Sequence, residues 1–317
     1  MPKVAVTIPY FDFFPHLKDE LRSIYPDAKF RTDRMRFNED QLIDYLRGYD
    51  AAIIGIETIT EKVLSALPDL KVLSLCSAGV DHIDPELLNR HDIKMWWAPG
   101  VNKVSVAELA ICFMILANRK VHYFSSILRK GEWKGPVGFG ADLRGKTIGI
   151  HGCGHIGKEV VRLLQPFGVK IIICDKVAMA DFCREYGVEQ VSQDELFARS
   201  DVLTIHLSRN SSTIGLYTRE NIAKLKPGMI LVNIARGTLV DEDALKDALD
   251  SGHISGAAFD VFAIEPANGN PLVHHPHMFA SPHIGATTSE SWENMLRSGM
   301  YGVEKAWTPQ TGVYPFD

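Results

Sequence analysis

The chain alternates short, nearly uninterrupted apolar runs with segments whose apolar residues recur at helical spacing. VAVTI (4–8), AAIIGI (51–56), KVLSLC (71–76) and KMWWA (94–98) have strand length, while EDQLIDYLRGY, TEKVLSALP and DPELLNRHD between them have the helical period. This alternation predicts crossover units, hence a parallel sheet with helices on its faces. A second series starts at Lys146 with KTIGIHG, VKIIICD, a short VEQV, DVLTIHL, MILVNIA, SGAAFDV and MFASP. Its runs are almost continuous in Val, Ile, Leu or Ala, as strands covered on both faces require. Between the series, APGVNKVSVAELAICFMILANRK reads as a helix opening after Pro99-Gly100, and a domain boundary falls there. The last segment, TTSESWENMLRSGMYGVEKAW, reads as one amphipathic helix able to return to the first domain. No internal repeat is visible.

Composition narrows the picture. A chain of 317 residues suits two domains, each large enough to bury a core. Hydrophobic residues at 46% and charged residues at 23% argue against disorder. The net charge of −5, without any Lys/Arg block, leaves no footprint for nucleic acid or an anionic membrane. Asp12 arrives early with no long apolar run behind it, against a secretory leader. The most apolar stretch, 109–117, is too short to span a bilayer. Cys76, Cys112, Cys153, Cys174 and Cys183 form an odd set without a C-x-x-C pair and read as reduced thiols. A cytoplasmic protein is expected.

His151-Gly152-Cys153-Gly154-His155-Ile156-Gly157 follows the strand KTIGI and opens the helix KEVVRLLQPF. Such a glycine pattern alone is weak and can mark an ordinary strand-turn-helix corner; the flanking strand and helix supply the context. Gly152 permits a tight turn, Gly154 lets backbone approach a pyrophosphate, and Gly157 lets helix and strand pack closely. The anion then sits on free N–H groups at the helix N-terminus. Asp175 ends the next strand, 18 residues beyond Gly157. A carboxylate there accepts both ribose hydroxyls and repels a 2′-phosphate, which predicts NAD. Cys153 and His155 present backbone in this reading and take no catalytic role.

Three later segments carry the polar chemistry: Asn233-Ile234-Ala235-Arg236-Gly237, Asp260 through Glu265-Pro266, and Ser281-Pro282-His283-Ile284-Gly285. Each follows a predicted strand, and ligands of open parallel sheets bind outside the carboxyl ends of strands. A cation, an acid and an imidazole therefore reach the rim that bears the glycine loop. Hydride exchange with a hydroxy acid needs that set. Arg236 holds a carboxylate and polarises a carbonyl, His283 moves the hydroxyl proton, and Glu265 orients His283 and favours its protonated form.

SAGVDHID (77–84), VAELA (106–110), HGCGHIG, NIARGTLVDEDAL, FDVFAIEP and SPHIGATT resemble, in order, the motif series of the D-isomer-specific 2-hydroxyacid dehydrogenases. The likeness runs from about the first strand to the last helix and is nearest in pattern to the phosphoglycerate dehydrogenase branch, without an appended regulatory domain. It implies an α/β fold of two doubly wound parallel-sheet domains. A Rossmann NAD-binding domain (99–285) would be inserted into a flavodoxin-like substrate domain (1–98 and 286–317). It further implies Arg236, Glu265 and His283 as the catalytic set, and Ala78, Gly79 and Val80 backbone near the substrate carboxylate, with Arg236. Gly152, Gly154, His155, Ile156 and Gly157 would face the pyrophosphate, Asp175 the adenosine ribose and Leu207 the adenosine side. Ile234, Ala235, Asp260, Arg236 and His283 would line the nicotinamide side. Family members work as homodimers through helices after the hinge.

Two positions depart from that pattern: Ser208-Arg209 follow His206-Leu207 where the family has Pro-Leu, and Trp97 replaces a small polar residue. Other readings stand beside the main one. His274-His275-Pro276-His277 suggests a metal site, yet it is a Pro-interrupted loop without helical ligand spacing. Trp96, Trp97, Trp133 and the CFMIL side chains read as core or interface. An NAD(H)-sensing, corepressor-like protein would keep the same trio. A Rossmann protein for S-adenosylmethionine would leave the trio without joint purpose. For the substrate, no arginine occurs between Arg47 and Arg90; Ile54, Gly55, Ile56, Leu75 and Cys76 fill the strand ends, and Lys62 and Lys71 begin a helix and a strand. An unphosphorylated 2-keto acid resembling glyoxylate, hydroxypyruvate or pyruvate is expected. Arg34, Arg36 or a partner subunit would be needed for phosphoglycerate, the alternative.

Overall fold

A computed structural model describes residues 1–313 and 316, apart from 34 and 134–137. The chain forms two compact units, Met1–Asn102 with Thr287–Asp317, and Lys103–Ala286.

In the first unit, β1 (Val4–Val6), β2 (Lys29–Phe30), β3 (Ala51–Ile54), β4 (Val72–Leu75) and β5 (Lys94–Trp96) make a parallel sheet ordered β2-β1-β3-β4-β5. β1 and β3 are central and buried throughout, which explains their unbroken apolar runs. β2 escaped the sequence reading because a two-residue edge strand has no period to detect. Asn38 opens the helix Glu39–Leu46 with a capping box to Gln41, and Leu42, Ile43 and Leu46 form its buried stripe. The closing helix Ser289–Lys305 belongs to this unit and is capped by Thr288, whose side chain accepts from Ser291 N. It lies directly on the sheet: Ser74 Oγ donates to Gly299 O at 2.7 Å, and a Cβ on Gly299 would stand 2.2 Å from Cys76 Sγ.

The second unit contains β6 (Thr147–His151), β7 (Lys170–Cys174), β8 (Glu189–Gln190), β9 (Val202–Ile205), β10 (Met229–Asn233), β11 (Ile254–Phe259) and β12 (Met278–Ala280). All pairings are parallel, in the order β12-β11-β10-β9-β6-β7-β8. The chain runs outward from β6 to β8, returns to β9 beside β6, and continues the other way. The crevice between β6 and β9 is therefore a topological switch point, where doubly wound folds bind ligands. The helix Lys103–Asn118 packs against both the sheet and the helix His155–Leu164, which buries Val106, Ala110, Phe113 and Met114, while Val104, Cys112 and Ile115 form an exposed face. The strands predicted from sequence outlast the ladders: 152, 206–207, 234–235 and 260–261 have left the sheet and form its carboxyl rim. No described helix is long and apolar enough to cross a membrane.

Candidate active site

The glycine loop leaves β6 at His151, and Gly154 caps the helix His155–Leu164. Gly152 adopts φ +91°, and a Cβ there would stand 2.8 Å from the His206 carbonyl carbon. A Cβ on Gly157 would stand 2.3 Å from Gly152 O, whereas nothing lies within 4 Å of the Cβ position of Gly154. Two glycines thus close the turn and the third leaves a cradle before free helix N–H groups, a fit for a pyrophosphate. His155 is exposed at the helix start, with its pKa lowered by partial desolvation and by Lys103 and Lys158. Ile156 packs on the core behind it.

Asp175 follows β7, and its carboxylate accepts from Cys153 N at 2.7 Å and Val177 N at 2.9 Å. The predicted ribose acceptor is thus tied to the glycine loop. Beyond β9, His206 Nε2 meets Thr204 Oγ1 at 2.9 Å, and burial lowers the pKa of His206 to about 3. Leu207 packs on the core, and Ser208 O accepts from Thr213 Oγ1 at 2.7 Å, so the departure from Pro is absorbed in a bonded turn.

Buried Asn233, the last residue of β10, shapes the next turn. Its Oδ1 accepts from Ala235 N at 3.0 Å and its Nδ2 donates to Arg236 O at 3.0 Å. Ile234 is buried there, and Arg236 is half-buried with Nη1 donating to Ala235 O at 2.8 Å. A Cβ on Gly237 would stand 1.9 Å from the Phe262 carbonyl carbon. The Arg236 turn thus lies against the loop that carries Glu265.

Asp260, buried at the end of β11, organises the His283 turn. Its carboxylate accepts from Ser281 Oγ, from Ile284 N at 2.8 Å and from Gly285 N at 2.7 Å. Burial raises its pKa more than these bonds and His283 lower it. The turn holds His283 at φ +55°, with its N–H donating to Asp260 O at 2.8 Å. His283 Nδ1 then lies 2.8 Å from Glu265 Oε2, while Glu265 Oε1 accepts from Phe262 N at 3.0 Å. The Glu265 bond raises the pKa of His283 against desolvation. For Glu265, desolvation is outweighed by the bonds from His283 and Phe262 and by nearby Arg236, so its pKa is lowered. Both shifts favour imidazolium beside carboxylate.

Ala78, Gly79 and Val80 follow β4 in the other unit. Ser77 Oγ donates to Gly79 O at 2.8 Å and Trp97 Nε1 to Ala78 O at 2.8 Å, so the unusual Trp97 braces this loop. The turn-building roles of Asn233, Gly237 and Ser281 escaped the sequence reading, although all three lie inside its motifs; their contacts come from residues distant in sequence or from turn geometry. His275 Nε2 pairs with Asp250 at 3.1 Å, and the described residues include no group of three or more His, Cys, Asp or Glu able to hold a metal.

Fold and site together define a doubly wound α/β protein with a dinucleotide cradle beside an Arg, Glu and His rim. The profile of the D-isomer specific 2-hydroxyacid dehydrogenase NAD-binding domain matches residues 111–285, and the chain belongs to that family. It is 35% identical over 255 residues to D-3-phosphoglycerate dehydrogenase of Mycobacterium tuberculosis, covering 80% of this chain and 48% of the relative. The chain spans about half the length of the curated relatives it matches. A structure of a D-isomer specific 2-hydroxyacid dehydrogenase from Polaromonas superposes with TM-score 0.87 at 29% identity, covering 96% of both chains. A glyoxylate reductase from Paecilomyes thermophila superposes with TM-score 0.83 at 29% identity, covering 94% of this chain and 93% of that one.

Proposed function

We propose that the protein is an NAD-dependent D-2-hydroxyacid dehydrogenase acting on a small, unphosphorylated 2-keto acid or its hydroxy acid. The observation that carries this reading is the 2.8 Å His283–Glu265 pair, with Arg236 on a turn packed against the Glu265 loop in the unit that bears the glycine cradle. We assign Gly152, Gly154, His155, Ile156 and Gly157 to the pyrophosphate and Asp175 and Leu207 to the adenosine half. Ile234, Ala235 and Asp260 are assigned to the nicotinamide half. When bound, the nicotinamide supplies or takes up a hydride at C2 of the substrate. Arg236 holds the substrate carboxylate and polarises its carbonyl. Ala78, Gly79 and Val80 are assigned to substrate binding by their backbone. His283, oriented through Nδ1, delivers a proton from Nε2 to the carbonyl oxygen in reduction and removes it in oxidation. Glu265 keeps the ring in that tautomer and stabilises the cation.

Loss of NADH absorbance with glyoxylate, pyruvate, hydroxypyruvate and phosphohydroxypyruvate tests the reading. Turnover of at least one is expected. Tight NADH binding without any turnover would favour the alternative, an NAD(H)-sensing partner-binding protein. We also propose a homodimer through the surface following the helix Lys103–Asn118. Val121, Leu128, Trp133 and Phe139 are all exposed apolar side chains in that stretch of the chain, which is the observation that supports it. Light scattering should give twice the chain mass. The five cysteines, all free thiols, fit a cytoplasmic setting.

A further inference from the structure

Directly before the glycine loop, β6 ends in a buried histidine. His151 Nδ1 lies 2.7 Å from the hydroxyl of Tyr217, which is itself fully buried. Phe197 closes the group, 6.0 Å from the His151 ring and 5.6 Å from the Tyr217 ring. Burial lowers the pKa of His151 to about 4 and raises that of Tyr217, so the contact joins a neutral imidazole to a neutral phenol. None of the roles assigned above uses either residue.

The backbone around Tyr217 leads elsewhere. Gly215 N donates to Thr238 O at 2.9 Å, Tyr217 N to Leu239 O at 2.9 Å, and Asp241 N to Tyr217 O at 3.0 Å. The segment 238–241 directly follows Arg236-Gly237, whose backbone is pressed against Phe262 on the other side. A short bonded path therefore runs from Gly152 through His151 and Tyr217 to the turn that presents Arg236.

We propose that His151 and Tyr217 are positioning residues whose hydrogen bond holds the glycine loop in register with Arg236, so that seating the cofactor and placing the arginine are set together. The inference rests on the dehydrogenase reading for the role of Arg236. It predicts a directional constraint, which apolar packing in the same space cannot replace.

Tyr217→Phe keeps the ring and deletes the hydroxyl. Its Kd for NADH, followed by fluorescence, should weaken about fivefold, and kcat at saturating NADH should fall by a similar factor. The double variant His151→Leu/Tyr217→Phe removes both polar partners, so its thermal midpoint should return towards the wild-type value. Positioning requires that NADH affinity and kcat stay impaired there. Wild-type affinity and kcat in the double variant, or in Tyr217→Phe itself, would overturn the proposal. Should Tyr217→Phe fail to fold, the double variant alone decides in the same way. Absence of turnover in the unaltered protein would count against the dehydrogenase reading, while the NADH affinities would still decide this one.

Discussion

At His283 the bond to Glu265 favours the charged ring, and the sign of the pH effect follows. Reduction needs imidazolium, so activity holds until the pH rises through a pKa above the ordinary histidine value, about 6.5. In Glu265→Gln that support is lost, and reductase activity should start to fall at lower pH; an unmoved profile in a folded variant would refute the pairing. The side chains are 51% and 36% exposed, so the pair adds only about 0.2–1 kcal/mol to stability, and the variant should melt almost normally. Asp175 is the other residue whose chemistry can be isolated. Its carboxylate, held by Cys153 and Val177 N–H groups, would meet a 2′-phosphate with like charge. Asp175→Ala should narrow the ratio of kcat/KM for NADH over NADPH by about tenfold, a loss near 1.4 kcal/mol. Equal efficiency of the unaltered protein with both cofactors would remove the basis for the NAD assignment.

The Arg236, Glu265 and His283 turns are set by contacts between loops at the ends of β10, β11 and β12. Gly237 shows how tightly. Its Cβ position lies 1.9 Å from the Phe262 carbonyl carbon and 2.3 Å from Ala263 N, backbone atoms that cannot rotate away. Gly237→Ala should therefore force the Arg236 turn and the Glu265 loop apart. The expected cost is about 1–3 kcal/mol of stability, as for other overpacked sites, with a loss of activity larger than that destabilisation explains. Near-normal kcat in a folded Gly237→Ala protein would show that the two loops need not touch. The strands themselves were legible because buried parallel strands must be apolar along their whole length. Their ends were less so: Leu207 after Ile205 and Ile234-Ala235 after Asn233 extend the apparent runs, while the ladder stops where the chain turns towards the rim.

Across the first unit, the loops after β1, β3 and β4 hold no lysine or arginine, and carry Asp12, Glu57, Asp81 and Asp84. In a doubly wound sheet these carboxyl-end loops are where a ligand is met. Arg31, after β2, pairs with Asp33 at 2.6 Å and covers the Phe37 ring at 3.6 Å; Arg36 is exposed and Arg34 lies outside the described residues. Lys62 is bound to Asp40 at 2.7 Å, and Lys71 precedes β4 at the opposite end of the strands. A phosphate dianion would lose charge-assisted bonds worth about 1.5–3 kcal/mol each. Hydroxypyruvate should therefore be reduced with kcat/KM at least comparable to that of phosphohydroxypyruvate. A preference of about a hundredfold for the phosphorylated compound would instead align this chain with the phosphoglycerate dehydrogenases it resembles in sequence.

What the residues alone determined is whatever is written in local period and local chemistry. Apolar runs at strand length and helices between them imply parallel sheets, and Gly152, Gly154 and Gly157 behind a strand imply a dinucleotide turn. Arg236, Glu265 and His283 could be expected on one rim because each follows a strand of one parallel sheet. Tertiary structure alone decided how they meet. Asn233 folds back on Arg236, Asp260 collects three donors to hold His283 in a left-handed turn, and Gly237 lies against Phe262. The last of these contacts and the Asp260 bonds join residues more than 20 positions apart, and the His151–Tyr217 bond spans 66. Hydrogen bonds of that kind leave no period in the sequence, because either partner is an ordinary polar residue until the fold places it beside the other.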